Sequence, residues 1–256
     1  MTGRDARTAL DRMDVAWARS LPARAARELF LVGVLGPLMD LYTRRQVRGR
    51  EYLDGVAGPA ILVANHTSHM DTPTILRSLP RRMRRRTAVC AAADYFYRSR
   101  PLALGASLGF GTVPIQRHGG GIDPTSTAHL DALIADGWTL VMFAEGTRSR
   151  DGSVARLRTG AAVLAERHGV PIIPVHVDGT HDAMPVGQGW PKRARARFAS
   201  RRHPVEVRFG RPLRRRDGED RLGLMERVRL FLAESGASTT PDRRVLGATR
   251  ARADRR

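Results

Sequence analysis

The chain has 256 residues, enough to bury one large core without disulfides or a structural metal. Its one cysteine, Cys90, excludes an internal disulfide and a multi-cysteine zinc cluster, and its place in TAVCAAA reads as a small buried hydrophobe in a reduced cytoplasmic protein. The formal charge of +19 is carried almost wholly by arginine, with Lys192 the one lysine, and it favours an anionic partner: nucleic acid, an anionic membrane surface or a phosphorylated substrate.

The first twenty residues mix acids and bases and do not read as a signal peptide. The most apolar stretch, ELFLVGVLGPLMDLY (28–42), is shorter than the ~20 apolar residues needed to span a bilayer, and Gly36 and Pro37 interrupt it. It predicts an interfacial segment flanked by Arg24, Arg27, Arg44, Arg45 and Arg48, which could meet lipid headgroups. A helical hairpin packed on the main domain is the alternative. Residues 1–48 are therefore expected to form an N-terminal helical, membrane-associating segment.

Short apolar runs then alternate with longer amphipathic segments. Strands are predicted at 60–65, 87–92, 112–115, 139–144, 171–177 and 205–209, and their near-continuous apolar character implies burial on both faces. Helices are predicted at 73–79, with Thr72 as N-cap and Pro73 in the first position, and at 124–136, closed by Gly137. Two more are predicted at 153–168, stopped by Gly169, and at 219–235. This alternation predicts an α/β fold with a central, mainly parallel sheet flanked by helices, over residues 49–236. Residues 237–256 lack an apolar pattern and are expected to form a disordered basic tail.

Two strand ends concentrate chemistry. NHTSHMD (65–71) follows the first buried run and precedes a helix, where open α/β sheets place ligands. On a continuous helix His66 and Asp71 would point about 140° apart, so a turn is required to join them. Across such a turn Asp71 can hold one ring nitrogen and leave the other free to take a proton from a hydroxyl. The alternatives are a histidine satisfied by turn backbone and a metal site using His66, His69 and Asp71, for which no second ligand cluster is evident. Ser68 as a hydrolase nucleophile lacks a Gly-x-Ser-x-Gly elbow.

The second strand end is FAEGTRSRDG (143–152). Gly146 lets the backbone turn closely, Thr147 and Ser149 bring hydroxyls, and Arg148 and Arg150 bring guanidinium groups, with a helix expected just beyond. These parts suit a phosphate monoester. Glu145 fits there if it binds an acceptor hydroxyl or fixes an arginine. GFGTVPIQR (109–117) delivers Arg117 to a similar position, with a plain surface arginine as the alternative, whereas GVPIIPVHVDGT (169–180) reads mainly as architecture. Nucleic acid is not expected as a partner, because the arginines follow no single helix face and only 5% of residues are aromatic.

Together these blocks resemble the glycerolipid acyltransferases, typified by 1-acylglycerol-3-phosphate acyltransferase. NHTSHMD is similar to their His-x4-Asp signature, FAEGTRS to their Glu-Gly-Thr-Arg block, GTVPIQR to their Arg-bearing block and VPIIPV to their Pro-bearing block, in order over about 49–212. Gln116 and Leu157 stand where the family often has Asp and Phe. The resemblance implies that His66 is the general base and Asp71 its orienting anion. It also implies that Arg117, Glu145, Gly146, Thr147 and Arg148 bind the acceptor. The donor would be acyl-CoA or acyl-carrier protein, the acceptor a lysophospholipid or another lipid or sugar-linked hydroxyl, with no cofactor and no metal. The site of action would be the cytoplasmic face of the cell membrane.

Overall fold

The computed structural model describes residues 16–92, 100–115, 127–146, 149, 153–194 and 201–239. Seven strands form one sheet: β1 (Thr43–Arg48), β2 (Ile61–Ala64), β3 (Thr87–Ala92), β4 (Thr112–Ile115), β5 (Thr139–Phe143), β6 (Ile172–Asp178) and β7 (His203–Phe209). Their order is β1-β7-β6-β2-β5-β3-β4, and neighbours run parallel except for β6 and β7. The expected fold, a mainly parallel sheet flanked by helices with a helical N-terminal segment, is the one observed. The run at 87–92 and the run at 112–115 are strands over their full predicted lengths.

Both faces of the sheet are covered, which explains the near-continuous apolar strands. Ile61, Val63, Leu140 and Met142 share one core with residues of helices over Ala128–Ala135, Gly160–His168 and Arg221–Glu234. Leu62, Ala64, Val141 and Val175 share the other with Leu31 and with Ile75 and Leu76 of the helix Asp71–Ser78. Ile75 and Leu76 are fully buried, and each such side chain contributes roughly 1.5–3 kcal/mol to holding that helix on the sheet. Cys90 is likewise part of the core, and burial pushes its thiol pKa up to about 12, so it packs as a hydrophobe.

Four local expectations are corrected. Thr43–Arg48, placed with the N-terminal segment on sequence grounds, is an edge strand paired in parallel with β7. Edge strands tolerate charge, so TRRQVR carries no apolar run to reveal it. The helix expected from Pro73 begins at Asp71, with Met70 rather than Thr72 at the N-cap, because the chain already turns at Ser68, whose carbonyl accepts the Asp71 amide at 3.1 Å. Pro73 still lies in the first turn, where its missing N–H is harmless. The helix expected over 153–168 begins only at Gly160, since the preceding backbone makes its hydrogen bonds elsewhere: Val154 bridges Thr239, and the Arg158 amide donates to Ala144. Ser238 and Thr239, the start of the expected tail, are thus paired with Val154; residues 240–256 lie outside the described part.

The N-terminal segment is a helix from Leu21 to Asp40 with a widened π turn over Phe30–Leu35. Pro37 has no N–H to donate four residues back, and a π turn is a common way for a helix to absorb that loss. No helix among the described residues is long and apolar enough to cross a membrane. Leu21, Leu29, Phe30, Val32, Val34 and Leu41 are nonetheless exposed along this segment. Of the arginines expected to face headgroups, Arg44 is exposed, but Arg27 is buried and donates to the carbonyls of Ala18, Ser107 and Leu108. Burial and the neighbouring Arg24 and Arg19 lower its pKa to about 10, which still leaves it charged at neutral pH. Arg24 donates to Arg85, Arg45 to Ser78, and Arg48 pairs with Glu206. Arg24 and Arg27 serve the fold by reaching backbone carbonyls, Arg45 by reaching a side-chain hydroxyl, and Arg48 pairs with a carboxylate while its side chain remains exposed.

Candidate active site

The strand order places the ends of β6, β2 and β5 side by side, and the loops that leave them build the site. Asn65, the first residue beyond β2, is buried and clasps β6: its amide donates to the Val177 carbonyl and accepts from the Val177 amide, both at 2.8 Å. Held there, the chain turns through His66, Thr67 and Ser68 into the helix that starts at Asp71.

Asp71 is fully buried and accepts four hydrogen bonds: from His66 Nδ1 at 2.9 Å, the Thr67 amide at 2.7 Å, the Ser68 amide at 2.8 Å and Thr180 Oγ1 at 2.5 Å. The turn that the five-residue spacing demands is therefore wrapped around the carboxylate itself. A carboxylate can only accept, so His66 Nδ1 carries the proton and Nε2 is the basic nitrogen. The imidazole stacks on Phe143 at 3.9 Å between centroids, and its side chain keeps 14% of its surface exposed. A buried anion behind a partly exposed imidazole stabilises the imidazolium once Nε2 takes a proton.

The rest of NHTSHMD is occupied with structure. Ser68 Oγ is buried, donates to the Met184 carbonyl and accepts from the Met70 amide, so it is not presented as a nucleophile. His69 is half-buried in the same turn. No group of three or more His, Cys, Asp or Glu side chains among the described residues is arranged to hold a metal ion.

The β5 end meets this corner directly. Buried Glu145 accepts from the His66 amide at 3.1 Å and from the Ala155 amide at 3.0 Å, and the Ser149 amide donates to the His66 carbonyl at 2.8 Å. Gly146 has φ +73°, and a Cβ there would sit 3.0 Å from Arg158 Nε, so the turn depends on glycine. Thr147, Arg148 and Arg117 lie outside the described residues. The helix expected just after this loop starts only at Gly160, so its N-terminus does not directly follow the loop in the chain.

Thr180, which follows β6 in a stretch whose sequence reads as architecture, is a site residue that the sequence does not single out. Its only local signal is the Gly-Thr pair after an apolar strand; its link to Asp71 spans 109 positions.

Comparison with known proteins bears on the family and the fold. A family model described as "Acyltransferase" matches residues 44–178. A chloroplastic 1-acyl-sn-glycerol-3-phosphate acyltransferase of Brassica napus is 30% identical over 156 residues, 57% of this chain and 40% of the relative. One from Arabidopsis thaliana is 31% identical over 147 residues, 55% of this chain and 38% of the relative. The matches thus span about two fifths of the length of these relatives. The crystal structure of a 1-acyl-sn-glycerophosphate acyltransferase from Thermotoga maritima shares the fold, with a TM-score of 0.60 at 22% identity over 88% of this chain and 84% of that one. With more than half of its residues matched, the strand-end corner included, this chain belongs to the acyltransferase family.

Proposed function

We propose that the protein transfers a fatty acyl group from an acyl-CoA or acyl-carrier-protein thioester to the free hydroxyl of a lysophospholipid, foremost 1-acylglycerol-3-phosphate, giving phosphatidate. The observation that carries this reading is the His66–Asp71 pair, with Nδ1 held at 2.9 Å by a fully buried carboxylate. Nε2 takes the proton of the acceptor hydroxyl as its oxygen attacks the thioester carbonyl. The tetrahedral intermediate collapses, the C–S bond breaks, and the imidazolium returns the proton to the departing thiolate. As the family resemblance implies, Arg117, Thr147 and Arg148 bind the acceptor, the arginines at its phosphate, while Gly146 turns the loop and Glu145 holds it to the His66 backbone. No cofactor enters this scheme. The exposed apolar side chains between Leu21 and Leu41 support docking on an anionic membrane surface, at the cytoplasmic face.

The test is to incubate purified protein with palmitoyl-CoA and a panel of lysolipids and to identify products by mass. Thioester consumption that depends on an acceptor alcohol, and that His66→Ala abolishes without unfolding the chain, supports the proposal. Turnover unchanged in that variant sinks it, and acceptor-independent cleavage turns the reading to a hydrolase. Arg148→Ala should weaken a phosphorylated acceptor far more than a neutral one.

A further inference from the structure

Asp71 Oδ2 is already saturated: it accepts the two turn amides and His66 Nδ1. Oδ1 has Thr180 Oγ1 at 2.5 Å, and both side chains are fully buried. A buried carboxylate oxygen without a donor would be costly, so a hydroxyl here has a physical task that a methyl of the same size could not perform. The backbone commits Thr180 to that task. Gly179 before it has φ +79°, and a Cβ on Gly179 would lie 2.0 Å from the Pro204 carbonyl oxygen. The chain leaving β6 is thus pressed against the strand of Pro204 and delivers Thr180 into the site between β6 and β2. The Thr67 hydroxyl lies 3.4 Å from Thr180 Oγ1, buried His176 of β6 is within electrostatic reach of Asp71, and the hydroxyl hydrogen of Thr180 belongs to the carboxylate, which can only accept.

We propose that Thr180 is a positioning residue for the base. Its hydroxyl locks the Asp71 rotamer and draws negative charge toward Oδ1, which limits how strongly Oδ2 holds the imidazolium and so keeps Nε2 from becoming too basic to cycle. This inference rests on the acyl-transfer reading for its kinetic consequence, but not for its titration. Without the Thr180 hydroxyl the carboxylate charge is shared with fewer donors, so the protonated form of His66 gains.

The experiment measures the His66 imidazole pKa by NMR in the full chain, with the resonance assigned by its loss in His66→Gln. Thr180→Val should move that titration upward. In kcat/KM for 1-oleoylglycerol-3-phosphate with palmitoyl-CoA, the acid limb should move up by the same shift. kcat should fall about tenfold while the palmitoyl-CoA KM stays nearly constant. Thr180→Ser should return both the titration and the limb toward wild type. Thr180→Ala carries the same prediction should the valine variant fail to fold. An unchanged or lowered imidazole pKa in the hydroxyl-less variant overturns the inference, as does a serine variant that titrates like valine. Failure of the acyl-transfer reading has a different signature: no acceptor-dependent thioester consumption in wild type, with the titration still deciding the role of Thr180.

Discussion

Glu145 bridges the backbone of His66 and Ala155, accepting one amide on each carboxylate oxygen. It ties the turn that bears the base to the extended segment behind β5, two pieces of chain 89 positions apart (155 − 66). Glu145→Gln turns one acceptor into a donor facing an amide, and a loss of about 1–3 kcal/mol is expected. Urea denaturation should record that loss together with a lower kcat. A raised acceptor KM at unchanged stability would instead assign Glu145 to direct contact with the acceptor.

Asn65 makes the corresponding tie to β6. Asn65→Ala leaves both the Val177 amide and carbonyl without their partners in a buried setting, and should cost about 2–4 kcal/mol. Thermal and urea midpoints check this; a change below about 0.5 kcal/mol, as for ordinary surface positions, would contradict it.

Gly179 and Gly187 both have positive φ, at +79° and +93°, but only Gly179 faces an obstructing carbonyl. Gly187→Ala should cost only backbone strain, about 1 kcal/mol, and leave turnover intact. Gly179→Ala must also displace the Pro204 carbonyl or itself, so it should be more damaging and should reduce kcat by shifting Thr180. Equal stability losses in the two variants would refute this difference.

His176 is buried in β6, and burial lowers its pKa from 6.5, partly offset by Asp178. Above pH 6.5 the folded and unfolded states are both largely neutral at this site. Below it the unfolded chain binds the proton more readily, so the stability that His176 contributes is lost as pH falls from 6.5 through the lower folded value. Urea denaturation between pH 5 and 8 should show this loss, and His176→Gln should flatten that part of the curve. An unflattened curve would place the titration elsewhere.

What the sequence by itself determined follows from local causes. The run TAVCAA is apolar at every position after Thr87, and a short run of that kind is stable only when covered on both faces, so its strand is legible where it stands. The spacing of His66 and Asp71 is equally local, since a buried carboxylate five residues on needs only one turn of chain to reach the ring. Tertiary structure decided what depends on neighbours. TRRQVR is a strand because β7 offers it a ladder, and residues 153–159 are not helical because Glu145, Ala144 and the Ser238 backbone take up their amides. The strand order β6-β2-β5 alone brings Thr180 and Glu145 against the His66 corner. Hydrogen bonds between such distant residues leave no periodicity in the chain, because each partner is specified by the fold rather than by its own surroundings in sequence.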